Sequence, residues 1–234
     1  MDVATQSFAR LGVRQKDKLR KALEQAYEVS SQEGRWPTML TLNDMLDEDL
    51  RGVIGDLTRE EIFKDGPPLG DAIEENLVFG LHEIPGNGLT TVLTAGFILS
   101  ALHLRIQGLP QAANTIRYLM VVDEAHRVAA FKAVKSMLQE GRSKGLAVLL
   151  ATQQPGDLPN EVATNANTRI CFRLPDSTIA TAAARRLDAA DPSLAEQIRT
   201  LDRGEAFVSL GGARPRLLRM AQFWRDRERL TLPG

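Results

Sequence analysis

The residues best suited to chemistry are two neighbouring acids, Asp123 and Glu124, which close the apolar run from Tyr118 to Asp123 in YLMVVDEAH. A short, wholly apolar run ending in acid reads as a buried strand, and strands of a parallel sheet present functional groups at their carboxyl ends, where the ligand crevice lies. An Asp at that position can hold Mg²⁺, usually through water. An adjacent carboxylate can polarise the water that attacks a terminal phosphate. Successive strand side chains point to opposite faces, so the two carboxylates converge on one ligand only if the chain bends at the strand's end. The alternative is structural: Asp123 caps a helix starting near Arg127, and Glu124 is solvated in its first turn.

A second apolar run, Leu146 to Thr152 (LAVLLAT), is followed by Gln153. A neutral polar residue at the tip of an adjacent strand can hydrogen-bond a terminal phosphate or the attacking water, which makes Gln153 a sensor candidate with Thr152 beside it. Its bland reading is a loop glutamine exposed next to Pro155. Between the runs lies EGRSKG, where Arg142 and Lys144 follow a helix and Gly145 permits the turn into the strand. Arg142 either interacts with that helix's carboxyl end and solvent or reaches a neighbouring subunit's phosphate, where a planar guanidinium stabilises transition-state charge. His126 reads as an exposed residue of a helix start, with nucleotide sensing as the alternative.

Positioning these groups requires strands alternating with helices. Apolar spacing predicts an amphipathic helix over Thr5–Tyr27, with Lys16, Lys18, Arg20 and Lys21 on its solvated face, and two short helices between Thr41 and Ile62. Lys64–Pro68 reads as a turn or a linker, Leu77–Ile84 as a strand, Pro85–Gly88 as a turn and Leu89–Ile106 as a long helix. Helices are expected at Ala129–Gly141 and Thr178–Leu187. Strands are expected at Asn167–Leu174, Glu205–Leu210 and Arg216–Met220, the last two bridged by Gly211 and Gly212. Continuous apolar strands separated by helices imply a mostly parallel sheet covered on both faces, an α/β fold preceded by a helical segment.

The 29 Lys plus Arg and 30 Asp plus Glu nearly cancel, so any surface for nucleic acid must be local. Arg185, Arg186, Arg199, Arg203, Arg214, Arg216 and Arg219 make the last third locally basic, and their scatter favours ion pairs with a neighbour over a phosphate-binding channel. Arg169 and Arg173 alternate on one strand face and suit either an interface or nucleotide edge, or the polar face of an edge strand. A single cysteine, Cys171, excludes an internal disulfide and fits a reducing compartment; within an apolar strand it reads as inert packing. No stretch has the length and apolarity of an export signal or membrane span, so a cytoplasmic protein is expected.

The order VVDEAH, EGRSKG, LLATQQPGDLP and NANTRICFRL resembles the HerA/FtsK branch of RecA-like ATPases, including VirB4- and TraG-type motors, over about residues 79–210. The resemblance implies ATP and Mg²⁺ as cofactors and a hexameric ring acting on duplex DNA. It makes Asp123 and Glu124 the Walker B pair, Arg142 the finger acting in trans and Gln153 the sensor. The wording ENLVFGLHEIPGNGLTT is also similar to DNA phosphorothioation-dependent restriction proteins of the DptH type, implying restriction-system partners. One departure matters: no G-x-x-x-x-G-K-[ST] loop occurs, and in PGNGLTT Leu89 stands where the lysine would. The expectation is therefore a C-terminal motor portion lacking its Walker A region: a helical segment at 1–75, a RecA-like core at 76–222 and a polar tail at 223–234. The alternative is a non-catalytic RecA-like interaction subunit that hydrolyses no ATP by itself.

Overall fold

A computed structural model describes residues 12–59, 76–84, 88–112, 115–188 and 190–220. The protein is mixed α/β, with a parallel sheet and flanking helices. It divides into two compact units, one drawn from Met1–Val121 and Arg127–Leu149, the other from Val122–His126 and Leu150–Gly234.

In the first unit, α1 (Val13–Gln32), α2 (Met39–Met45) and α3 (Glu48–Arg59) pack together, burying Leu19, Ala22, Ala26, Leu42, Leu46, Leu50 and Ile54. Two of the three starts have a side-chain cap. The Thr38 hydroxyl accepts the Thr41 N–H at 3.1 Å and caps α2, while the Asp47 carboxylate accepts the Leu50 N–H at 2.9 Å ahead of α3. The basic face of α1 is spent on intramolecular pairs: Lys18 Nζ lies 2.6 Å from Asp47 and 2.8 Å from Asp49, and Arg20 pairs with Asp17 and Glu24. The Lys18 hydrogen bond holds the Asp47 carboxyl below its ordinary pKa, and Asp47 in turn raises that of Lys18.

Segment Leu77–Ile84 is not a strand. Residues 76–80 have no regular structure, Val78 is 96% exposed, and Leu81–Glu83 form a single 3-10 turn. The Gly80 that interrupts the apolar run supplies no side chain to a sheet, and among the described residues no strand pairs with the segment. Lys64–Pro68 and residues 85–87 lie outside the described residues; Gly88 already belongs to α4 (Gly88–Gln107).

β1 (Tyr118–Val122) and β2 (Leu146–Leu150) pair, joined through α5 (Lys132–Glu140) and a 3-10 turn at Gly141–Lys144. α5 starts three residues later than its apolar pattern suggested, because residues 125–130 are taken up by a 3-10 turn and turns. Gly145 ends this connection with φ +77°. A Cβ there would stand 2.7 Å from the Thr115 carbonyl oxygen, so the turn requires glycine. Among the described residues one face of β1 stays open, with Leu119 63% and Val121 59% exposed, where burial on both faces was expected.

The second unit contains α6 (Asn160–Asn165), β3 (Thr168–Cys171), α7 (Ser177–Leu187), α8 (Leu194–Thr200), β4 (Glu205–Leu210) and β5 (Arg216–Arg219). β3, β4 and β5 form a separate antiparallel sheet, with Thr168 opposite Leu210 and Glu205 opposite Arg219. α7 and α8 cover it, burying Ala180, Ala183, Ala184, Leu187, Leu194, Ile198 and Phe207. Asp176 caps α7 by accepting the N–H groups of Thr178 and Ile179, both at 2.9 Å. Cys171 packs against this core, and burial pushes its thiol pKa to about 11, as inert packing requires.

Candidate nucleotide and metal site

The tips of the two parallel strands lie side by side in the second unit. Ala151 N–H donates to the Val122 carbonyl at 2.9 Å, and Ala125 N–H donates to the Ala151 carbonyl at 2.8 Å. Between these two bonds the chain makes the bend that convergence of the acids demands: Glu124 has φ +49°, the one left-handed non-glycine among the described residues. For a residue with a Cβ this conformation costs roughly 1–2 kcal/mol. It is held by the two flanking backbone bonds and by the Asp123 carboxylate, which accepts the Glu124 N–H at 2.8 Å.

The bend delivers side chains from both strand tips to one place. Gln153 Nε2 donates to Glu124 Oε1 at 3.2 Å, and His126 Nδ1 lies 3.3 Å from Glu124 Oε2. His126 Nδ1 also lies 3.1 Å from the Thr152 hydroxyl, which accepts the Gln154 N–H at 3.0 Å. Asp123, Glu124, Thr152 and Gln153 are thus brought together, with Asp123 and Gln153 exposed and the Glu124 side chain 39% exposed. Asp123 does not cap the following helix, since its bond goes to the adjacent backbone N–H.

His126 is where sequence reasoning fell short. It is no exposed helix-start residue: its side chain is only 13% exposed, wedged between Glu124 and Thr152. The signal for it was the three-residue tether from Asp123, but its direction depends on the left-handed Glu124, which no local pattern announces. Arg142 belongs to the first unit and is exposed in the Gly141–Lys144 turn. Arg169 is turned inward, donating to the carbonyls of Arg186 at 2.9 Å and Ala163 at 3.1 Å, whereas Arg173 is exposed. Arg199 pairs with Glu196 on its own helix at 2.6 Å.

Among the described residues, no group of three or more His, Cys, Asp and Glu side chains is arranged to enclose a metal ion. The acids can still serve Mg²⁺, which keeps several waters and takes one or two carboxylates together with the oxygens of a phosphate ligand. Exposed Asp123 offers an acceptor-only group at the strand tip, and Glu124, held by the Gln153 amide, can orient a water.

VirB4 of Thermoanaerobacter pseudethanolicus superposes with a TM-score of 0.65 at 15% identity, covering 94% of this chain and 66% of that one. The fold is RecA-like. The bacterial conjugative coupling protein TrwB has the same relation: its unbound form gives a TM-score of 0.60 at 15% identity, over 87% of this chain and 62% of that one. TrwB in complex with the non-hydrolysable GTP analogue GDPNP gives 0.58 at 15% identity, over 88% and 63%. The chain therefore spans less than two thirds of the length of these RecA-like neighbours. No family model and no curated protein matches the sequence. Within the described residues, no helix is long and apolar enough to cross a membrane.

Proposed function

We propose that this chain carries the Walker B half of the ATP site of a motor that moves or remodels duplex DNA. What supports the reading is the Asp123–Glu124 pair at a parallel-strand tip, bent through a left-handed Glu124 to meet Gln153 of the adjacent strand, within a RecA-like fold. In this reading Asp123 holds Mg²⁺ through water, Glu124 takes the proton of the attacking water, and Gln153, with Thr152 behind it, registers the terminal phosphate. ATP with Mg²⁺ supplies the phosphoanhydride whose cleavage drives the motor. Arg142, exposed outside the acid cluster, acts in trans on a neighbouring copy, which makes the working form a ring, taken as a hexamer. The RecA-like core is taken as 76–222 behind the helical segment 1–75, in a cytoplasmic protein. Service in phosphorothioation-dependent restriction, with restriction partner proteins, is the narrowest part of the proposal and rests on the wording of segment 75–91.

The sequence contains no phosphate-loop lysine, and this favours a second reading, a RecA-like interaction subunit without turnover. Titration of a fluorescent ATP analogue with and without Mg²⁺ separates the two, using this chain and the protein encoded by its full reading frame. The motor reading expects weak binding by this chain, and Mg²⁺-dependent binding and hydrolysis by the full protein. Equal binding by both, or a full frame without a phosphate loop, overturns it.

A further inference from the structure

The second unit holds a cavity of about 460 Å³ that the acid cluster does not use. Gly156, Asn160, Thr164, Arg169, Arg185 and Arg186 line it. Three guanidinium groups around one cavity repel one another unless something negative lies among them. The Ala163 and Arg186 carbonyls, in the last turns of α6 and α7, supply partial negative charge at these helix ends. Arg169 donates to the carbonyls of Arg186 and Ala163, and Arg186 donates to the carbonyls of Leu158 at 2.6 Å and Gly156 at 3.4 Å. These neutral acceptors fix where the guanidinium groups sit without neutralising them.

One donor in this cluster is unused. Arg169 Nε is buried, with no hydrogen-bond partner. A buried donor on a charged group left without an acceptor is destabilising by about 1–3 kcal/mol, so the Arg169 guanidinium is only partly satisfied by the described protein. Arg185, exposed at the rim, is free of structural hydrogen bonds among the described residues and completes the positive ring. The volume falls within the range of about 300–1,000 Å³ that small-molecule sites occupy, larger than one bare oxyanion needs.

We infer that this arginine-lined cavity is a binding site for a phosphate oxyanion, of the diphosphate or phosphodiester kind, separate from the acid pair at the strand tips. Guanidinium groups offer paired, coplanar N–H donors matched to phosphate oxygens, and here two of them are already oriented by the backbone. The inference does not depend on the ATP reading, because none of its residues belongs to the acid cluster.

The test is calorimetric titration of the full chain with sodium pyrophosphate, and fluorescence titration with a short labelled DNA duplex. Wild type, Arg185→Gln, Arg185→Lys and Glu124→Gln are compared. Arg185 makes no structural hydrogen bond, so its variants should melt like wild type by circular dichroism. Pyrophosphate should bind wild type and E124Q alike, with R185Q weakened at least about tenfold and R185K in between. If R185Q also weakens the duplex, the phosphate is that of a nucleic-acid backbone; if the duplex is unaffected, it is that of a free or nucleotide diphosphate. Absence of pyrophosphate binding at millimolar concentration, unchanged affinity in R185Q, or an equal effect of E124Q overturns the inference.

Discussion

Two turns in this protein use the same rare backbone conformation and fill it differently. The turn entering β2 places Gly145 at φ +77°, and the turn leaving β1 places Glu124 at φ +49°. At Gly145 the surroundings forbid a side chain, since a Cβ would collide with the Thr115 carbonyl and the Ala112 methyl. Glycine there relieves both the steric and the conformational cost. At Glu124 the conformational cost is retained although glycine would remove it. A position that keeps a strained residue keeps it for the side chain, and this one reaches Gln153 and His126.

If that contrast is right, the two positions respond to substitution in opposite ways. The largest effect belongs to Glu124→Gln in the full-frame protein, where steady-state ATP turnover should fall at least about 100-fold with nucleotide affinity retained. Unchanged turnover would remove Glu124 from the chemistry and leave its strain unexplained. Gly145→Ala should be destabilising by about 2 kcal/mol or more in urea unfolding of this chain, through the close contact and the left-handed φ together. A neutral result would mean that the turn yields more readily than its contacts suggest. Gln153→Ala, at an exposed position, should shift stability by no more than about 0.5 kcal/mol while lowering turnover about tenfold, since it removes the group that orients Glu124 and registers the terminal phosphate. Smallest is Glu124→Gly, which should raise the unfolding free energy by roughly 0.5–1 kcal/mol, because relief of about 1–2 kcal/mol of strain outweighs the freedom the unfolded chain gains. Destabilisation by that change would show that the Gln153 and His126 contacts outweigh the strain, and the comparison between the two turns would fail.

Much of the fold was legible because its signals are local. The apolar runs at Tyr118–Val122 and Leu146–Leu150, the Gly145 turn and the long helix before them follow from residue type over a few positions. Leu77–Ile84 misled because strand-like composition says nothing about whether a partner strand is present. α8 was missed because seven residues carry only the pair Leu194 and Ile198 as periodic signal. The antiparallel pairing of β3 with β4 was equally hidden, since an apolar strand reads the same in either direction of pairing, whereas Gly211 and Gly212 announced the β4–β5 pair.

Of the candidate site, Asp123, Glu124, Thr152 and Gln153 were readable as strand-tip residues, because in a parallel sheet the end of an apolar run is itself a location. Sequence by itself determined which side chains stand at those tips, and that no phosphate-loop lysine accompanies them. Only the tertiary structure decided that Glu124 turns left-handed, that His126 is drawn in beside Thr152, and that Arg169, Arg185 and Arg186 surround one cavity. The physical reason is range. Propensity and periodicity act over a turn or two, whereas these three outcomes are set by hydrogen bonds and packing between segments 17 to 29 residues apart.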